Sequence, residues 1–118
     1  MLKIVLTSKL TGGRLSGIRP RYEGSLRVDS RLLAAAGIEP FEQIHVLNLN
    51  NGVRLETYAI RGPAGSGVLE LNGPASRLGL PGDEITVLAY GLSAPGERVR
   101  PRIVLLKGRN RIAKLVHP

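Results

Sequence analysis

The chain has 118 residues, no cysteine, 42% hydrophobic residues and a formal net charge of +8. That length suits one compact domain, and the apolar content excludes a disordered chain. Without cysteine there is no disulfide framework and no thiolate zinc site; no apolar run reaches the length of a membrane helix, and Met1–Leu6 is too short for a signal peptide, so we expect a cytoplasmic protein.

The basic charge admits a polyanion as partner. The arginines are scattered from Arg14 to Arg111, however, and Tyr22, Phe41, Tyr58 and Tyr90 are the only aromatics. They make a poor stacking platform for single-stranded nucleic acid. A small basic nucleic-acid-binding β-barrel and a protein acting on a small anion both fit at this point.

Glycines and prolines punctuate short apolar runs, the pattern of a mainly β chain. Leu2–Leu6 reads as the first strand, and Thr11-Gly12-Gly13 and Arg19-Pro20 break the region after it into loop and short extended pieces. Gly24–Val28 reads as the next. Asp29-Ser30 offers an N-cap to a two-turn helix over Arg31–Ala36, which Gly37 stops. Gln43–Leu49 and Val53–Ile60 are strands around Asn51-Gly52, a tight-hairpin signal. Alternation along the second of these puts Arg54 and Tyr58 on one face and Thr57 on the other. Gly62–Gly67 is a loop and Val68–Leu71 a strand. Asn72-Gly73-Pro74-Ala75 opens a short helix, whose first N–H groups could receive a carboxylate. Glu84–Tyr90 is a strong strand, Gly91–Arg100 a loop and Pro101–Leu106 the last strand. Lys107, Arg109, Arg111 and Lys114 read as a solvated basic tail. Many short strands with two small helices point to a closed barrel.

Few residues carry obvious chemistry. His45 and His117 have no partner at metal-ligand spacing, so no metal site is expected. No G-x-S-x-G elbow supports a serine hydrolase, and Gly62–Gly67 lacks the Lys and Ser/Thr of a phosphate loop. Lys9, Arg54 and Tyr58 supply two cations and a phenol, a set suited to an anionic substrate and one proton transfer. Gly24-Ser25 places a hydroxyl directly after a glycine carbonyl at the entry to a strand.

Lys9, Tyr22-Glu23-Gly24-Ser25, Asn51-Gly52-Val53-Arg54, Thr57-Tyr58-Ala59-Ile60, Gly65-Ser66-Gly67, Asn72-Gly73-Pro74-Ala75, Gly82-Asp83 and Pro101-Arg102-Ile103 together resemble aspartate 1-decarboxylase along essentially the whole chain. The resemblance implies a double-psi β-barrel with short helices, assembled as a homotetramer. It implies self-cleavage between Gly24 and Ser25, giving a β chain of residues 1–24 and an α chain of residues 25–118. Ser25 would become a covalent pyruvoyl cofactor that forms a Schiff base with L-aspartate and releases CO2 and β-alanine, a precursor for pantothenate and coenzyme A. By the same resemblance Gly24, Ser25 and Thr57 serve self-processing and Tyr58 is the proton donor. Lys9, Arg54, Thr57, Asn72, Gly73, Pro74 and Ala75 bind substrate. No membrane or nucleic acid enters this reading. The chain departs from the family at Thr11 and Arg21, where histidine is frequent, and at Pro74 and Ser76, where alanine is.

Overall fold

A computed structural model describes every residue from Met1 to Pro118. The elements are β1 (Lys3–Arg14), β2 (Gly17–Arg19), β3 (Ser25–Asp29), α1 (Ser30–Ala36), β4 (Gln43–Asn48), β5 (Arg54–Gly62), β6 (Leu69–Asn72), a 3₁₀ helix (Gly73–Leu78), β7 (Glu84–Ser93), β8 (Arg102–Lys107) and β9 (Arg111–Val116). The strands hydrogen-bond in the order β2-β6-β3-β5-β4-β7-β1-β8-β9. Three neighbouring pairs are parallel, β1 with β8, β2 with β6 and β3 with β5, and the rest are antiparallel. This mainly β, mixed-direction arrangement is consistent with the double-psi β-barrel.

Alternation gives the barrel strands an inner and an outer row of side chains. Val104, Leu10, Val87, Val46 and Leu55 lie level across β8, β1, β7, β4 and β5. All five are buried, in a core cluster of 19 residues. One residue along, Ile103, Lys9, Leu88, His45 and Glu56 make the corresponding row on the outer face. A one-residue slip would exchange the two rows, so the apolar pattern fixes the register.

Three expectations are corrected. β1 does not stop at Leu6; it runs to Arg14, and Thr11-Gly12-Gly13 is a bulge inside it, with the register against β7 shifting between Leu10 and Gly13. Gly12 sits at φ 78°, and a Cβ there would lie 2.6 Å from the Leu106 carbonyl oxygen, so only glycine fits. The hairpin at Asn51-Gly52 is looser than the two-residue type, since only Gly52 has a positive φ and the loop spans residues 49–53. The basic tail is a strand pair. β9 folds back on β8, solvated along most of its length, and Asn110 anchors the turn by bonding both Arg14 backbone groups and the Gly67 carbonyl.

Two carboxylates brace loops. Asp83 accepts from Asn48 Nδ2 and the Leu80 N–H, each at 2.9 Å, and these bonds hold its carboxyl below the usual 3.8. Asp29 is only 3% exposed. It caps α1 through the Arg31 N–H at 2.8 Å, and it also receives the Gly65 N–H at 3.1 Å and the Gly67 N–H at 2.8 Å. Asp29→Ala strands all three donors. We expect a loss of about 3 kcal/mol, read as a lower denaturant midpoint at unchanged slope.

Candidate active site

Ser25 is the first residue of β3 and is paired with Asn72 of antiparallel β6. Its side chain is 1% exposed and Asn72 is fully buried. Asn72 Nδ2 donates to Ser25 Oγ at 3.0 Å. The other amide atom, Oδ1, is buried with no partner, which is costly and marks a polar position awaiting a donor. Ser25 Oγ itself reaches the Glu23 carbonyl only at 3.4 Å, a weak bond. On the other side β3 runs parallel to β5, with Leu26 level with Ala59. Tyr58, one residue before Ala59, lines the same cavity as Ser25, and Thr57 precedes it on β5.

Behind this junction the 3₁₀ helix begins at Gly73, with Asn72 as its N-cap residue. The Asn72 side chain makes no capping bond, because it is committed to Ser25. Gly73 adopts φ 64°, and a Cβ there would meet Tyr22 O at 2.7 Å, Gly24 N at 2.8 Å and Gly24 Cα at 2.9 Å. The bare glycine therefore lets the turn press against the backbone just before Ser25. Pro74, exposed, packs its ring toward Gly24, Ala75 is half-buried, and Ser76 Oγ is buried without a partner. Pro74 lies in the first helical turn, where its missing N–H breaks no helix bond.

Ser25 opens into a cavity of about 350 Å³ lined by Tyr22, Glu23, Phe41, Tyr58, Ile60 and Arg61. Phe41 was not anticipated. Its ring lies 6.3 Å from that of Tyr58, and its N–H bonds the Ala59 carbonyl at 2.7 Å. It is 76% exposed and sits at φ 71°, an unusual conformation for a bulky residue. Nothing in Pro40-Phe41-Glu42 signals that backbone; the sole clue is a lone phenylalanine in a solvated loop.

The cations lie elsewhere. Arg54 and Tyr58 do share the outer face of β5, opposite Leu47 and Gln43 of β4. Four strand residues separate them by about 13 Å. Arg54 turns away into a second cavity of about 490 Å³ with Ile4, Gln43, His45, Glu56 and Tyr90. Lys9 stands on the same sheet face, half-buried between Leu88 and Ile103. Thr11 meets Thr86 nearby, hydroxyl to hydroxyl at 3.4 Å. Arg21 lies in the exposed loop before Tyr22, among Ile18, Arg19 and Pro20. No group of three or more metal-ligating side chains converges anywhere. His117 bonds the Arg100 carbonyl near the end of the chain.

A glycine-serine junction clamped between two strands, with a phenol beside it and unneutralised cations on the same sheet, is the equipment of a small β-fold enzyme acting on an anion. The comparisons sharpen that class to a carboxy-lyase. The profile of the aspartate decarboxylase family matches residues 1–113. The chain is 50% identical to aspartate 1-decarboxylase 2 of Gloeobacter violaceus over 117 residues, covering 98% of this chain and 94% of that one. It is 46% identical to the aspartate 1-decarboxylase of Desulfotalea psychrophila over 118 residues, 98% and 99% of the two chains. The enzyme of Moorella thermoacetica is 47% identical over 114 residues, 95% and 89%. The chain belongs to the aspartate decarboxylase family, and with that membership goes the conversion of aspartate to β-alanine.

The close approach at Gly73 yields a test. In Gly73→Ala the methyl collides with the Tyr22–Gly24 backbone, which must shift. We expect a lower melting temperature and at least about a tenfold loss in any reaction at the Gly24–Ser25 bond, followed on a denaturing gel.

Proposed function

We propose that the chain breaks its own Gly24–Ser25 bond, leaving β chain 1–24 and α chain 25–118, and that Ser25 becomes the pyruvoyl group used to decarboxylate L-aspartate. The observation that carries this reading is the placement of Ser25: buried, held by Asn72 Nδ2, and preceded by a glycine against which the Gly73 turn presses. Ser25 Oγ attacks the Gly24 carbonyl carbon, and the amide becomes an ester as the C–N bond breaks. Thr57 of β5 is the donor for the transient oxyanion. Loss of the Ser25 Cα proton expels the Gly24 carboxylate and leaves dehydroalanine. Water then displaces ammonia, and the ketone stands on the former Ser25 Cα.

The surroundings suit that group. The buried Asn72 amide, with Oδ1 unpaired, gives polar contact at the floor of the cavity that Ser25 opens into. A pyruvoyl carbonyl there would supply the electron sink for the pair left on the substrate carbon as CO2 departs. The chain's own residues do the rest. Tyr58 delivers a proton to the carbon that lost its carboxylate. Arg54 and Lys9 hold carboxylates, and Gly73, Pro74 and Ala75 with Asn72 form the wall against which the substrate is oriented.

Arg54 and Ser25 open into different cavities of one chain. We therefore place the working site between copies in a homotetramer, the Arg54–Lys9 face of one subunit closing over the Ser25–Tyr58 cavity of its neighbour. The exposed Tyr22 and Phe41 around that cavity, and Ile4 beside Arg54, fit burial by a partner. No helix is long and apolar enough to cross a membrane, and we propose a cytoplasmic enzyme supplying β-alanine for pantothenate.

Complementation tests the shared site. Ser25→Ala and Arg54→Ala each alone should lose at least about a hundredfold in β-alanine formation. Co-expressed, they should regain a substantial part of it, because mixed tetramers contain junctions with both groups intact. No recovery from verified mixed tetramers would place all the groups in one chain.

A further inference from the structure

Arg54 is charged, exposed and free of any carboxylate partner. Its Nη2 lies 3.0 Å from His45 Nδ1 and 3.0 Å from the Tyr90 hydroxyl oxygen, and it donates to both. Both acceptors are neutral, because a ring nitrogen that receives this N–H carries no proton of its own. The remaining imidazole proton then sits on Nε2, 3.3 Å from Glu56 Oε1. The second Glu56 oxygen, Oε2, takes Gln43 Nε2 at 3.3 Å. The rings of His45 and Tyr90 meet edge-on, with centroids 5.0 Å apart. A chain of contacts thus runs Gln43, Glu56, His45, Arg54, Tyr90 across β4, β5 and β7.

Its consequence concerns charge. Glu56 lies two residues from Arg54 on the same face of β5, about 7 Å along the strand and well within reach of a guanidinium. A direct Arg54–Glu56 ion pair would neutralise the cation, and an incoming carboxylate would have to displace it. The imidazole stands between the two, engaging the carboxylate with one nitrogen and the guanidinium with the other.

We infer that His45 intercepts Glu56 and, with Tyr90, holds Arg54 as an open cation aimed at a substrate carboxylate. His45 and Tyr90 are positioning residues, and Glu56 is the internal competitor that His45 keeps away. This deepens the proposed carboxylate-binding role of Arg54 and rests on it.

The test is steady-state kinetics on the processed enzyme. His45→Leu should raise KM for aspartate about fivefold, as the Arg54–Glu56 ion pair forms in competition with substrate, with kcat within about twofold. Adding Glu56→Gln to His45→Leu should restore most of the lost affinity, since the competitor is then uncharged. A purely structural role for His45 would not be rescued in this way. Tyr90→Phe should raise KM about two- to threefold by removing one acceptor. Melting temperature and fragment pattern on a gel report folding; should His45→Leu not fold, Tyr90→Phe and Glu56→Gln alone decide, the second leaving KM unchanged or lower. Arg54→Ala is the control. If it raises KM while His45→Leu, or Tyr90→Phe in its place, does not, the inference is overturned and carboxylate binding by Arg54 stands. If Arg54→Ala leaves KM unchanged, both fall.

Discussion

The position of β3 governs everything near the candidate site. This five-residue strand lies between an antiparallel neighbour, β6, and a parallel one, β5. The antiparallel pairing brings Asn72, and with it the turn at Gly73, onto Ser25. The parallel pairing brings Tyr58 to the same cavity. A parallel pair needs a long crossover, here α1 and β4, which carry the chain from residue 29 to residue 54. Residues some 30 to 50 positions apart are thereby set around one bond. Asp29 ends the strand as the cap of α1 and the acceptor for two loop amides, so the crossover departs in a fixed direction.

Charge is organised on the opposite principle. Several cations are spent internally: Arg14 on Glu84, and Arg19 and Arg27 on Glu70. Arg54 has only neutral partners, and Lys9 has no ion-pair partner. An anion receptor needs cations that remain uncompensated until the anion arrives, and these two are among those left without an ion pair. The net charge of +8 is therefore less informative than the fate of individual arginines. Scattered and partly paired, they do not form the continuous stripe that tracks a nucleic-acid backbone.

Much of the fold was legible because local signals agreed with tertiary demands. Asp29 and Gly37 bracket α1 as their chemistry predicts, and alternation in β4 and β5 reports the buried face directly. Where it failed, a local signal had a tertiary purpose. Gly12 looks like a strand end and is a bulge, because the Leu106 carbonyl crosses too close for any side chain. The basic residues after Lys107 look like a tail, since exposed β9 has no apolar stripe to reveal it; Asn110, bonded to both Arg14 and Gly67, holds the turn instead. At the candidate site, alternation placed Arg54 with Tyr58 and opposite Thr57. It could not show that Arg54 faces a separate cavity, nor that Phe41 lies over Tyr58. Those depend on a loop conformation and on His45 and Tyr90, which sequence spacing does not connect.

The fate of the Gly24–Ser25 bond decides the proposed function, and intact-mass spectrometry of the purified protein reads it directly. Self-cleavage predicts two polypeptides, the smaller ending at Gly24. The larger should begin with a group that yields no sequence by amino-terminal degradation and reacts with a carbonyl reagent. A single chain of the full encoded mass that persists through prolonged warming and carries no reactive carbonyl would contradict it.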